Sequence, residues 1–450
     1  LILIQERLSF RVLRGRLWLL VCGSPLPTMP FRFVHTADIH LDSPLRSLAM
    51  RNSELATLIG DSTRRAFMAI IDLCLEEAVD ALVVAGDLYD GDQTSMKTAR
   101  FLATQMERLH EAGISVYKIR GNHDALSKIT QELVLPPSLK LFGSRAEAVE
   151  FRKGGLDVVM HGLSFAKPHA PESLLPKYRP AVQGAVNIGI MHTSLAGGHG
   201  HDLYAPCTVT ELQGCGFDYW ALGHIHARSE HRGDCAIVMP GMPQGRDINE
   251  AGPKTVSLVT VRDDRSVTIE ERATSIAQFE RIPVDVSDAE SWADVVDAIE
   301  RDILAVRGRT AAPHLVARLM LGGRTAHAWR LRRDRDLLLE ESEHRLGNSG
   351  GVWIEKIEIA ANAPREPASS GTADPIDELG TLIGDEILHQ HGVRESIRAL
   401  VMEVRDDLPP EARRFCGDDE TAFESFLDTL LSESGHEIVA RLAQDGASPR

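Results

Sequence analysis

At 450 residues, with 43% hydrophobic and 25% charged side chains, the chain has the make-up of a globular protein with room for two or three domains. No run approaches the roughly 20 apolar residues of a membrane-spanning helix, and six cysteines with no CxxC pair argue against a disulfide framework or structural zinc, as in a reduced, cytoplasmic protein. The net charge of −16 is uneven: residues 362–450 hold 8 basic and 19 acidic side chains, a net of −11, which suits a protein partner better than phosphates.

Residues 1–28 read as a spurious or dispensable extension. The apolar run 17–23 is short even for a secretory signal, and Met29 opens the patterned region. From Phe31 to about Thr274, within a first domain spanning 29–275, short β-rich runs alternate with helical stretches. "RFVHTA" reads as a strand and "STRRAFMAIIDLCLEEAV" (62–79) as an amphipathic helix with a Ser/Thr cap. "DALVVAG" is a buried strand, "SMKTARFLATQMERLHEAG" a helix closed by Gly113, and "ISVYKI" a third strand. This βαβαβ order predicts a parallel sheet with right-handed crossovers. After residue 145 strands come faster, which predicts a second, more mixed sheet packed on the first.

Residues 276–361 read as a small α+β capping domain: strand 279–286, helix 288–307, a strand at "HLVARLMLGG", helix 325–346 and strand 352–360. Residues 362–374 are a linker by composition, and 375–450 an acidic helical tail. The fold class is therefore α/β, a two-sheet sandwich flanked by helices, with a small capping domain and a helical C-terminal tail.

The polar residues gather at the C-terminal ends of strands, where open α/β sheets build their sites. Asp38 and His40 end the first strand, Asp87 and Asp90 ("GDLYD") the second, and Asn122, His123 and Asp124 ("GNHD") the third. His192 ("IMHTS") and the pair His224 and His226 ("GHIH") end later strands. In an extended chain Asp38, His40 and Asp42 share one face. Taken singly, these are turn residues, helix caps or a satisfied core histidine. Five clusters at five strand ends are not explained that way, and glycine precedes three of them, allowing close backbone approach. Carboxylate, amide and imidazole donors without a thiolate suit two divalent ions about 4 Å apart that clamp a phosphate ester. Asp42 is left with no role beyond the turn "LDSP". His161, His199, His201 and His231 sit in no comparable motif.

The ordered motifs DxH, GDxxD, GNHD, H and GHxH resemble the calcineurin-like metallophosphoesterase superfamily. Flanking text such as "HTADIHLDSPL", "FDYWALGHIHAR" and "PGMPQGRDINEAGPK" resembles its SbcD-like DNA-repair exonuclease branch, YhaO-type proteins in particular. The resemblance is strong over about 31–274 and holds in layout beyond. It implies a metallophosphoesterase sandwich with one metal held by Asp38, His40, Asp87 and His226. A second would be held by Asp87, Asn122, His192 and His224, with manganese first and iron or zinc as alternatives. It further implies that His123 contacts the scissile phosphate, oriented by Asp90, while a hydroxide between the ions attacks phosphorus. Asp124 then braces its loop. Arg246, in "QGRDINE", is a candidate substrate-binding phosphate contact, against a plain surface salt bridge. By the same resemblance the substrate is DNA at its ends, and the tail docks an SMC-like ATPase (YhaN/SbcC-like). A homodimer is compatible with that layout.

Two other readings stand beside the nuclease: a small-nucleotide phosphodiesterase or phosphatase on the same core, and a scaffold that grips DNA ends. Gly91 and Asp124 stand where phosphoprotein phosphatases carry Arg and Glu, which argues against that branch. The full donor set argues against a pure scaffold. "RLRRDR" (330–335), the one basic cluster of the capping domain, is either a DNA contact or a solvated helix face.

Overall fold

Alternate residues of the first strand serve two apolar layers. Phe31 and Phe33 enter a core between two sheets, and Val34 a second core beneath helices. The next strand repeats the division, with Ala81, Val83 and Ala85 toward the first core and Leu82 and Val84 toward the second. Strands buried on both faces are what a helix-flanked parallel sheet requires, hence their near-continuous apolar runs. The computed structural model describes residues 30–43, 53–90, 95–125, 135–195, 204–347, 350–363, 375–408, 413–417 and 419–442.

In chain order the strands of the larger unit begin with β1 (Phe31–Thr36), β2 (Ala81–Ala85), β3 (Ser115–Ile119), β4 (Leu139–Leu141), β5 (Glu147–Lys153) and β6 (Leu156–Gly162). They continue with β7 (Val186–His192), β8 (Tyr219–Gly223), β9 (Ser229–Arg232), β10 (Ala236–Met239), β11 (Thr255–Val261) and β12 (Val267–Ala273). The first sheet has the order β12-β11-β1-β2-β3-β4, with β1 to β4 parallel and β11 antiparallel to β1. The second runs β5-β6-β7-β8-β10-β9, parallel in its four middle strands with antiparallel edges. Helices Ser62–Glu76 and Met96–Glu111 bury Phe67, Ile70, Leu102 and Met106 against the first sheet.

The two-sheet α/β sandwich is the one the sequence predicts, but its strands are not divided at residue 145. β11 and β12 return to the first sheet after the second is complete, so that β1 lies between β11 and β2. Periodicity marks a strand without naming its neighbour, which long-range closure decides. The helix expected at 62–79 starts after Asp61 with no side-chain cap, and a short helix, Ser53–Gly60, precedes it.

The smaller unit is a parallel sheet, β13 (Ala277–Asp285), β14 (His314–Gly322) and β15 (Val352–Ile359), in that order. Its first helix begins at Trp292, after a capping box between Ser291 and Asp294. The helix expected at 325–346 is two, Ala328–Arg333 and Arg335–Leu346, broken at Asp334. That break also answers for the basic cluster. Arg333 and Arg330 both pair with Asp334, Arg330 lies over the Trp292 ring at 4.4 Å, and Arg332 donates to the Ala328 carbonyl. Much of its charge is matched inside its own unit. The tail forms helices Pro375–Leu382, His391–Asp407 and Glu420–Leu442. The last packs against Ala328–Arg333, with Trp329 and His436 rings 6.3 Å apart. No described helix is long and apolar enough to cross a membrane.

Candidate metal centre

β1 ends at Thr36, and beyond it the backbone leaves the extended form. Asp38, His40 and Asp42 have φ of 51°, 45° and 61°. Their alternation is a run of left-handed residues, not the two-residue repeat of a strand, so the shared face expected from the sequence is not formed. Amide bonds hold the segment to the loop after β2: Asp38 N–H to Gly86 O (3.2 Å), His40 N–H to Asp87 O (3.1 Å) and Leu41 N–H to Leu88 O (2.9 Å). Asp87 (49°) and His224 (106°) share the left-handed region, which costs a non-glycine residue about 1–3 kcal/mol. Asp42 turns to a different task. Its two carboxylate oxygens bind Arg64 at 2.6 and 2.5 Å and accept from the Thr98 hydroxyl, tying the loop to both flanking helices.

Three groups of donor atoms form, the atoms of each lying within 4.8 Å of one another: Asp38, His40 and His226; Asp38, Asp87 and His192; and His40, Asp90 and His123. Asp38 belongs to two of them. The Nε2 atoms of His40 and His226 stand 3.2 Å apart, while their Nδ1 atoms meet Asp90 (2.6 Å) and Glu250 (3.0 Å). On the other side, His192 Nδ1 donates to Ala85 O (2.9 Å), and its Nε2 faces Asn122 Oδ1 (3.0 Å) and Asp87 Oδ2 (3.3 Å). The His224 N–H donates to the Asp38 carboxylate (2.9 and 3.1 Å), and its ring lies 5.2 Å from His192 and 5.0 Å from Tyr204. Gly121 makes this convergence possible, since a Cβ there would collide with the Asp87 carboxylate and the His192 ring. His123 stands at the rim, its side chain 46% exposed, with Nδ1 3.2 Å from Asp90 Oδ1. A cleft of about 440 Å³ opens here, lined by Asp87, His123, His224, His226, Glu250 and Lys254.

The electrostatics are those of a site built for cations. Asp38 and Asp87 are both buried, 0% and 2% exposed, beside each other. Burial pushes the Asp38 carboxyl up. Burial would do the same to Asp87, but the His192 imidazole holds it well below the usual carboxylate range. The cost returns on His192, which burial would depress but which the Asp87 and Asp38 charges hold up at about 9. A proton there stands in for positive charge, and divalent ions would supply it through bonds these donors can make. Asp90 is held low despite its burial by hydrogen bonds from His123 and His40, and its bond raises His123.

Other residues singled out in the sequence fall as follows. Asp124 accepts from Gly121 N–H (2.7 Å), Leu88 N–H (3.4 Å) and Lys118 Nζ (2.7 Å) and belongs to none of the three donor groups. Arg246 is no surface pair: its side chain is 21% exposed, with the guanidinium bound to Glu250 and 4.0 Å from Asp90. His161 bonds Asn187 in the interior (3.0 Å), and His231 lies on the edge strand β9. His199, His201 and Gly91 lie outside the described residues. Glu250, Lys118 and Tyr204 were not foreseen. Each is a single residue with no spacing pattern; chain closure brings Glu250 and Tyr204 to the site, while Lys118 reaches Asp124 within its own strand and loop.

Residues 31–228 match the family model for calcineurin-like phosphoesterase, and residues 279–362 that for the middle domain of metallophosphoesterase YhaO. The chain is 35% identical over 305 residues to the metallophosphoesterase YhaO of Bacillus subtilis, covering 66% of this chain and 73% of that protein. The chain belongs to the calcineurin-like metallophosphoesterases. This metallophosphoesterase is also 25% identical over 268 residues to the DNA double-strand break repair protein Mre11 of Methanopyrus kandleri, covering 56% of this chain and 54% of that relative. It thus spans about half of that protein's length. Against a dimetal phosphatase structure from Danio rerio the TM-score is 0.34 at 13% identity, covering 54% of this chain and 96% of that one. The calcineurin-like fold binds two divalent metals, and the buried carboxylates and converging imidazoles fit that requirement.

Proposed function

We propose that this metallophosphoesterase hydrolyses DNA phosphodiesters at strand ends, as an exonuclease or endonuclease, together with an SMC-like ATPase. The observation that carries the reading is a protonatable histidine, His123, held by Asp90 at the rim of an open cleft directly beside the donor groups. Likeness to Mre11 DNA double-strand break repair proteins points to DNA as substrate.

Asp38, His40, Asp87 and His226 would hold one divalent ion and Asp87, Asn122, His192 and His224 the other, with manganese the first candidate. Ions at those positions offset phosphate charge and lower the pKa of water. The chain's own residues do the rest. Asp90 fixes the His123 ring through Nδ1 and favours its protonated form, leaving Nε2 to donate a proton to the leaving oxygen. Asp90 also accepts from His40, so one carboxylate sets both rings. Arg246 Nη1, not engaged by Glu250, donates to Ser43 Oγ (3.3 Å) and lies 4.0 Å from Asp90, and a phosphate bound beside Asp90 would compete for it.

The partner reading rests on the tail. A groove of about 590 Å³ between its helices is lined by Ile397, Leu400, Val404, Phe415, Leu430 and Ile438. Leu400, Val404 and Ile438 are each more than half exposed, a patch that calls for a cover. In a region of net charge −11, a basic amphipathic helix of a coiled-coil ATPase complements both features.

The test is cleavage of linear duplex and single-stranded DNA by the purified chain with manganese, alone and with the ATPase. His123→Ala should lower turnover roughly 10²–10⁴-fold, the range of a lost general acid, with both ions still bound. Rapid hydrolysis of a small phosphodiester without DNA cleavage under either condition would overturn the reading.

A further inference from the structure

Glu250 sits where no ligand motif predicts a functional residue. It closes a single turn, Ile248–Glu250, in the segment joining β10 to β11. Its Oε1 is 3.0 Å from His226 Nδ1. Arg246 grips the same carboxylate through its backbone N–H (2.7 Å), Nε (3.2 Å) and Nη2 (2.7 Å). The carboxylate is thus fixed from one side and accepts from the imidazole on the other. With Nδ1 donating to Glu250, His226 presents the lone pair of Nε2 toward the point that His40 Nε2 also faces.

The segment carrying Glu250 is itself seated on the small unit. Gln244, 1% exposed, accepts from Ile276 and Ala277 N–H and donates to Ala277 O. Gly252 N–H donates to Phe279 O, and Arg281 donates to Asn249. Ile248 and Phe279 share an apolar cluster with Val316. A path of direct contacts therefore runs from β13 through 244–252 to one ring of the centre.

We infer that Glu250 is a positioning residue for His226, and that the seat of segment 244–252 on the small unit keeps it in place. The inference rests on the ligand assignment proposed above and adds a residue that touches no ion. It makes half of the centre depend on how the small unit is docked.

Manganese titration of the full, metal-stripped chain by calorimetry tests this, with melting of the stripped protein as a check on folding. The wild type should take two ions. Glu250→Ala should weaken one of them by roughly 10–100-fold, the range seen when a ligand's supporting carboxylate is lost, and leave the other unchanged. Glu250→Gln keeps an acceptor for Nδ1 and should fall between; it carries the comparison should the alanine variant fail to fold. Gln244→Ala should weaken the same ion, though it lies two shells from it. Both ions bound at wild-type affinity in the Glu250 variants would overturn the positioning role. An effect of Glu250→Ala with none of Gln244→Ala would overturn the dependence on the small unit. A wild type that binds no ion would instead overturn the ligand assignment.

Discussion

Replacing Lys118 by methionine should destabilise the chain out of proportion to the one amine it removes. Lys118 and Asp124 form an ion pair at 2.7 Å with side chains 4% and 1% exposed. The same carboxylate accepts the amides of Gly121 and Leu88, the neighbours of Asn122 and Asp87, so the pair clamps two donor-bearing loops. Methionine matches the lysine stem but leaves a buried carboxylate with two amide donors and no countercharge. Breaking a buried pair from one side costs about 3–5 kcal/mol, a large part of the roughly 5–15 kcal/mol that holds a domain folded. Adding Asp124→Asn removes the orphaned charge, keeps an acceptor for Gly121 N–H, and should recover most of the loss. The assay is urea unfolding followed by tryptophan fluorescence, Trp220 being fully buried in the second sheet. A loss below about 1 kcal/mol in Lys118→Met, or a double variant no more stable than the single, would refute the reasoning.

Burial holds His35 down at about 3 against an ordinary 6.5, with its ring nitrogens bonded to Tyr219 Oη and Leu222 O. Its neutral form therefore stabilises the fold fully above pH 6.5, and the contribution is lost as pH falls toward 3. At pH 5 the loss is about 2 kcal/mol, which His35→Gln should abolish in a comparison of urea midpoints at pH 5 and 7.5. Asp42→Ala removes two bonds to Arg64 in a partly exposed setting and should cost about 1–2 kcal/mol without changing manganese stoichiometry; a lost ion would show that Asp42 is a ligand. If the tail groove seats the proposed ATPase, Leu400→Glu should abolish co-purification with it and leave the proposed DNA cleavage by the isolated chain unchanged in rate. Unchanged co-purification would place the partner elsewhere.

The donor residues were legible in the sequence because carboxylates and imidazoles after buried strands are too costly to be incidental, and the order of strands puts their ends at one edge. Asp38, His40, Asp87, Asn122, His192 and His226 come together for that reason. What could not be read was backbone hand. Asp38, His40 and Asp42 look equivalent at two-residue spacing, but φ of 51°, 45° and 61° takes the segment out of the strand repeat, and two of the side chains join the centre while the third binds Arg64. Glu250 was hidden for another reason: it acts through His226, which it meets only because segment 244–252 rests on the small unit. Lys118 meets Asp124 just six residues on, through a loop whose turn the residue pattern does not reveal. The pairing of β11 with β1, and of β12 with β11, was hidden because only long-range closure decides it.

The left-handed residues also bear on why the centre is stable. Asp38, His40, Asp87 and His224 each occupy a strained region, and each is pinned by an amide bond across the gap between strand ends. The strain is tolerated because several independent contacts over-determine each position. Those contacts are not local. Asp38 is held by residues just past β2 and β8, His40 from the loop after β2 and through Asp90, and His226 through Glu250 from a segment resting on β13. Strain met by contacts from both sheets, together with a His226 ring held through the small unit, couples the donor geometry to the closure of the whole molecule. A substitution that loosens any one of those three supports should therefore register first in metal affinity and only then in folding.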